Sequence, residues 1–349
     1  WADEGLVEKS FWEKAGAMGL MGGSVDETFG GSGGDISYDA ITAYLQAAKG
    51  DAGWGYGIQS IVIHYLNSYG SNEQKAKWLP QLVSGKRIAA LAMTEPNCGS
   101  DLQSIKTHAE KDGNQYKING SKTFITNGGS ADLICLAAKT DPKQGSKGIS
   151  LLMIETDDLE GFRRGKPLKK VGMKGNDTAE LFFENVKIPQ TNLLGSEEGK
   201  GFYQLMKQLP WERLYIGIAG LGAADCALEE TLKYVKERKA FGQRVFDFQN
   251  TKFKLAELKT KTEVTRSFIN DCIQKLVAGD LDAATASMAK YWGSQIQGEI
   301  LDECVQLHGG YGFMAEYRVA RMWTDARVQK IYGGTNEIMK ELIARSLDD

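Results

Sequence analysis

The chain has 349 residues, of which 42% are apolar and 25% charged, and its formal net charge is -3. That length suffices for two or three domains with cores of their own, while the near-neutral balance, with Lys and Arg scattered, gives no electrostatic footprint for nucleic acid. No window approaches the roughly 20 continuous apolar residues of a membrane-spanning helix. The five cysteines, Cys98, Cys135, Cys226, Cys272 and Cys304, are widely spaced with no Cys-x-x-Cys pair, which argues against both a disulfide framework and a zinc site and for a reducing compartment.

The chain starts at Trp1 with neither an initiator Met nor a signal segment, and we read a processed or truncated amino terminus. Residues 1–88 read as helices with glycine-rich joints. Apolar residues recur at helical spacing from Val7 to Met21 and from Ser60 to Leu82, and Gly30-Gly31-Ser32-Gly33-Gly34 is a flexible connector. From 89 to 197 the period shortens. Ala89 to Met93, Gln115 to Asn119, Leu133 to Ala138, Ile149 to Glu155 and Ala179 to Phe183 read as strands, separated by turn signals such as Lys111-Asp112-Gly113-Asn114 and Asn119-Gly120.

From 198 to 349 long helical patterns return. One helix spans about Gly201 to Lys239 and stops near Phe241-Gly242; a second covers Gln249 to Ala278; a third follows Asp280-Leu281-Asp282 and ends at Gly309-Gly310. A fourth runs from about Tyr317 to Ser346, interrupted at Gly333-Gly334. Four amphipathic helices bury their faces most simply as a bundle. The order is therefore α-β-α, a fold of the α+β class with domains at 1–88, 89–197 and 198–349.

No Gly-x-Gly-x-x-Gly follows a strand and no Walker-type Gly-Lys-Ser/Thr is present, so the Rossmann and P-loop ways of holding a nucleotide are unsupported. The three histidines, His64, His108 and His308, show no metal-ligand spacing, and Ser32 and Ser100 lack a His-Asp partner set for hydrolase chemistry. The polar turn after Leu91, with the hydroxyls of Thr94 and Ser100, and the aromatic in Phe124-Ile125-Thr126 could together serve a flat ring with hydrogen-bonding edges. Taken singly, Phe124 reads as a core residue, Arg238 as a solvated helix residue and Glu212 as a surface charge.

Three segments change that weighting when taken as a set. Met93-Thr94-Glu95-Pro96-Asn97-Cys98-Gly99-Ser100-Asp101, Leu209-Pro210-Trp211-Glu212-Arg213-Leu214 and Lys330-Ile331-Tyr332-Gly333-Gly334-Thr335-Asn336-Glu337-Ile338 resemble the flavin-dependent acyl-CoA dehydrogenases. The resemblance covers essentially the whole chain, apart from a first helix that the family has ahead of Trp1. It implies a helical domain, a β-barrel-like domain and a four-helix bundle.

It also implies FAD, held by Leu91, Met93, Thr94, Gly99, Ser100, Phe124, Ile125 and Thr126. A second set, Arg238, Phe241, Gln249, Gln306, Leu307, Gly309, Gly310, Thr335, Asn336 and Glu337, would grip the adenosine diphosphate arm across a homotetramer interface. Phe124 stands where the family usually has Trp. The catalytic base lies in most members at the position of Gly333; here the Glu-Arg-Leu of the long-chain and isovaleryl branches places it at Glu212. Gly333, Gly334, Ser100, Tyr203 and Arg213 would contact substrate or its thioester oxygen.

The closing run Gly333 to Arg345 is more similar to the long-chain branch, and Gly53, Gly55 and Gly57 stand where the acyl pocket ends. The implied reaction is α,β-dehydrogenation of acyl-CoA to trans-2-enoyl-CoA in fatty acid β-oxidation, with electrons passing to an electron-transferring flavoprotein. An isovaleryl-CoA dehydrogenase, an acyl-CoA oxidase, a monooxygenase on the same fold and a catalytically dead assembly protein are the alternatives. Glu212 argues against the last two. The sequence is compatible with bacterial cytoplasm or mitochondrial matrix.

Overall fold

The structure, a computed structural model, describes residues 1–348, and its chain falls into two compact units. The first comprises Trp1–Asp39, Gly53–Lys169 and Lys174–Gln208; the second comprises Ala40–Ala52, Lys170–Met173 and the residues from Leu209 onward.

In the first unit, helices α1 (Lys9–Ala17), α3 (Tyr56–Tyr69) and α4 (Asn72–Val83) accompany a seven-stranded mixed sheet; α2 (Ser37–Ala48) starts in this unit and continues into the second. The expected single helix over Ser60 to Leu82 is two helices. The chain turns extended at Gly70, and Ser71 caps α4 by accepting from Gln74 N–H while the Gln74 side chain accepts from Ser71 N–H. That reciprocal cap satisfies donors which a continuous helix would have used.

The strands are β1 (Ala89–Ala92), β2 (His108–Asp112), β3 (Gln115–Thr126), β4 (Leu133–Lys139), β5 (Ile149–Glu155), β6 (Phe162–Arg164) and β7 (Thr178–Pro189). They lie in the order β1-β4-β2-β3-β7-β6, with β5 against β4. β4 is paired on both sides and buried along nearly its whole length, hence its unbroken apolar run. Asn119-Gly120, expected to be a turn, lies inside β3, where the pairing with β7 shifts register between Ile118 and Gly120. It is a bulge, and a second one lies between Lys122 and Ile125. Gln59 ties α3 to the sheet: its amide oxygen accepts from Ala89 N–H (2.7 Å) and its amide nitrogen donates to the carbonyls of Leu82 and Arg87.

The second unit is helical. It contains α5 (Gly201–Glu237, whose first eight residues belong to the first unit), the short hairpin β8 (Lys239–Ala240) and β9 (Gln243–Arg244), α6 (Gln249–Ala278), α7 (Ala283–His308), α8 (Arg318–Ala326) and α9 (Asn336–Arg345). The expected fourth helix is thus two, divided by residues 327–335. α5 and α7 cross at small residues. A Cβ added at Gly217 would stand 2.8 Å from the Ala289 carbonyl oxygen, and one at Gly293 would stand 2.7 Å from Gly217 Cα, so the two backbones touch where any larger side chain would part them. This crossing sets Glu212 and Arg213 of α5 one turn before the contact and Ser287 and Lys290 of α7 beside it. No described helix is long and apolar enough to cross a membrane.

Candidate active site

In the first unit the candidate feature is an exposed aromatic with a left-handed backbone. Phe124 sits at the second bulge of β3 with φ 58° and 69% of its surface exposed, while Ile125 beside it is buried. Left-handed backbone in a bulky residue costs on the order of 1–3 kcal/mol and persists only where its surroundings impose it. Those surroundings are the turn after β1. Thr123 N–H donates to the Thr94 carbonyl (2.9 Å), and the fully buried Lys122 donates to the Met93 carbonyl (2.8 Å) and to Glu95 Oε1 (2.9 Å).

Glu95 also accepts from the N–H groups of Lys106 and Thr107. Burial by itself would raise its carboxyl, but the Lys122 charge and these donors outweigh burial and hold it below the ordinary value. Leu91 is buried, Met93, Thr94 and Thr126 are half-buried, and Gly99 and Ser100 lie exposed on a loop closed by reciprocal Glu95–Cys98 main-chain bonds. An apolar ring held out at a fixed angle beside polar turn residues suits the face and edges of a flavin. Tyr203 is 59% exposed, with Lys207 Nζ 5.7 Å over its ring. Gly55 does not open space for an acyl chain: the Asn127 carboxamide fills the place of its side chain and donates to its carbonyl.

In the second unit Glu212 and Arg213 are each only 6% exposed. Ile216, one turn further along the same face of α5, abuts the turn at Gly333, where an added Cβ would stand 2.5 Å from Ile216 Cδ1. Gly333 (φ 63°) and Gly334 (φ 88°) both use left-handed backbone, and neither donates its N–H to an acceptor among the described residues. An exposed turn with two free main-chain donors is thereby set against the helix face that carries Glu212.

Arg213, expected near substrate, reaches across to α7. Its guanidinium donates to Ser287 Oγ of α7 (3.2 Å), and burial lowers its pKa against the opposing charge of Glu212. Thr335 caps α9 by accepting from Ile338 N–H. Asn336, expected at the cofactor, is buried with its side chain committed to α7, where Oδ1 accepts from Lys290 Nζ (2.9 Å) and Ser294 Oγ (3.1 Å); Glu337 is exposed.

The remaining nucleotide candidates gather at the other end of α7. A groove of about 470 Å³ is lined by Arg238, Gln306, Leu307, Gly309 and Gly310 among others. An added Cβ at Gly309 or Gly310 would meet nothing, so main chain lies open to a ligand. His308 stacks on Tyr234 with ring centroids 4.3 Å apart, and its Nδ1 lies 2.8 Å from the Cys304 carbonyl, a packing role as its sequence context implied. Phe241 is 95% exposed at the hairpin tip, and Gln249 is exposed at the start of α6. The five cysteines are free and buried, and no cluster of potential metal ligands occurs among the described residues. Of the residues that shape these sites, Lys122, Ile216 and Lys290 carry no motif in the sequence, and Glu95 stands in one without a role of its own. Only a lysine within an otherwise buried strand stretch hinted at the Lys122–Glu95 pair.

A fold of this order carrying a carboxylate on its central helix defines a class of flavin-dependent dehydrogenases, and comparison supports it along the whole chain. Family models described as "Acyl-CoA dehydrogenase, N-terminal domain", "middle domain" and "C-terminal domain" match residues 1–86, 90–186 and 199–347. The chain is 50% identical over 350 residues to the long-chain specific acyl-CoA dehydrogenase, mitochondrial, of Mus musculus, covering 99% of this chain and 81% of that protein. It is 38% identical to the isovaleryl-CoA dehydrogenase, mitochondrial, of Oryza sativa subsp. japonica, covering 97% and 83%. An acyl-CoA dehydrogenase structure from Geobacillus kaustophilus superposes with a TM-score of 0.97 at 48% identity, covering 100% of this chain and 92% of that one. The chain belongs to the acyl-CoA dehydrogenase family; it is an oxidoreductase acting on acyl-CoA, with FAD as its cofactor.

The Glu95–Lys122 pair supports the strained Phe124 from below. Lys122→Met, which leaves a buried carboxylate without its cation, should lower unfolding stability by about 3–5 kcal/mol in denaturant titrations and weaken FAD retention. Unchanged stability in that titration would show that the pair does not hold the turn.

Proposed function

We propose that this chain is a long-chain acyl-CoA dehydrogenase whose catalytic base is Glu212. The observation that carries the reading is local to the second unit: the helix face bearing Glu212 is packed, through Ile216, against a turn whose Gly333 N–H has no acceptor among the described residues. A base that removes a weakly acidic α-proton needs a donor for the negative charge that grows on the thioester oxygen. Glu212 takes the proton, and Gly333 N–H serves as that donor. When bound, FAD supplies the acceptor for the β-hydride. Phe124 and the turn from Met93 to Ser100 hold the flavin ring, and the groove of Arg238 and Gln306 to Gly310 takes the adenosine diphosphate arm of FAD from a neighbouring copy in a homotetramer. The product is a trans-2-enoyl-CoA of fatty acid β-oxidation, and the electrons pass to an electron-transferring flavoprotein.

Gly333 explains why a carboxylate at its own position is absent. Ile216 Cδ1 occupies the space of a side chain there, and the left-handed backbone strains any residue but glycine. The long-chain assignment rests on the 50% identity to a long-chain enzyme against 38% to an isovaleryl one.

Glu212→Gln keeps the shape of the side chain without its basicity. Flavin reduction by acyl-CoA in rapid mixing should fall by about two to four orders of magnitude, the usual scale for a general base, while substrate still binds. Adding Gly333→Glu alone should restore little, whereas Gly333→Glu with Ile216→Ala should recover at least about tenfold. A wild-type rate in Glu212→Gln would end the reading. For the substrate, kcat/KM should rise from butanoyl-CoA to chains of about twelve carbons, each buried CH₂ adding up to about 0.8 kcal/mol; preference for isovaleryl-CoA over every straight chain would refute it. Arg238→Ala should release FAD without unfolding the chain, as measured by flavin absorbance after gel filtration. A monomer retaining full FAD would contradict the shared site.

A further inference from the structure

Two lysines have no exposed surface. Lys122 faces Glu95, but Lys290 on α7 has no ion-pair partner among the described residues. Its ammonium donates to Asn336 Oδ1 (2.9 Å), an oxygen that Ser294 Oγ already serves (3.1 Å). The amide oxygen thus receives one neutral donor and one charged donor, the charged one the stronger, and the buried charge carries a large desolvation cost. Asn336 is the first residue of α9, immediately after Thr335, and so ends the turn that begins at Gly333. Asn336 has no surface role, being 4% exposed, so what it anchors is the chain on either side of it.

We propose that Lys290 is a positioning residue for the dehydrogenation: its buried positive charge fixes Asn336, and through it the Gly333–Thr335 turn, so that Gly333 N–H stays aimed at the thioester oxygen. The inference rests on the reading of Glu212 and Gly333 given above. The charged groups acting on Lys290 are Glu337 of α9 and Arg213 of α5. Burial and Arg213 push the ammonium down to about 8, against the pull of Glu337.

The sign of the pH dependence follows. With its ammonium pushed down to about 8, Lys290 should lose its charge well before an ordinary lysine, so flavin reduction should decline as pH rises through that range. Folding disfavours the charged form, a penalty fully present below pH 8 that fades toward the ordinary lysine value. Lys290→Met should then be at least as heat-stable as wild type near pH 7, with FAD retained. Its flavin reduction at saturating acyl-CoA should nonetheless fall about 10- to 100-fold, with little change in KM and no alkaline decline. A purely structural role would lower stability together with rate.

Lys290→Gln retains a donor without the charge and should be slow as well. Wild-type rates in either variant would overturn the proposal, and so would a wild-type enzyme whose reduction rate stays level from pH 7 to about 9.5. If Lys290→Met does not fold, Lys290→Gln and the wild-type profile decide. Glu212→Gln measured beside them separates the two ideas: full activity there removes the underlying reading, whereas loss there with full activity in the Lys290 variants removes only this one.

Discussion

The close approach of α5 and α7 is the constraint on which the catalytic unit depends. Because Gly217 and Gly293 lack side chains, the two backbones touch, and every polar group placed near that contact is buried by geometry. Glu212, Arg213, Ser287, Lys290 and Ser294 lie within about two turns of it on the two helices, and all are less than a tenth exposed. Hydrogen bonds then arrange themselves: Arg213 reaches across to Ser287, and Lys290 with Ser294 reaches Asn336 of α9. An alanine at either glycine would push the helices apart by a fraction of a side chain and disturb all of these contacts together. In this unit the position of the carboxylate is a consequence of packing between backbones.

The first unit solves a different problem, that of holding a large apolar ring in the open. Its means is an ion pair placed under a bulge. Lys122 cannot move without stranding Glu95, and Glu95 cannot move without releasing the N–H groups of Lys106 and Thr107. The rigidity of β3 at this point is therefore electrostatic in origin, while the rest of the sheet is held by apolar residues such as Ile118, Ile134 and Leu152.

Elements with strong periodicity were legible in the sequence, and features that depend on distant partners were not. α6 and β5 coincide with the spans read from pattern alone, since one has a long apolar stripe and the other an unbroken apolar run between turns. β2 escaped because His108–Asp112 is mostly exposed and polar, with only Ala109 buried. α2 escaped too, although Ser37–Ala48 has a helical stripe, because the glycine-rich segment before it dominated the reading. The Asn119-Gly120 pair carries the signal of a hairpin turn, but β7 pairs across it and converts the turn into a bulge. At the site, Glu212, Gly333 and Phe124 were readable only through family resemblance. Nothing local marks the Asn336 side chain as turned inward: the groups that hold it, Lys290 and Ser294, stand more than 40 positions away.

The left-handed backbone at Phe124 bears on how a flavin would meet this ring if the proposed site holds it. A ring that had to be ordered on arrival would make association slow and dependent on a loop closing. Here the angle is set within the strand itself, by the bulge and the bonds at Thr123 and Lys122. On the reading proposed above, stacking of a flavin ring there would cost little conformational entropy at this residue.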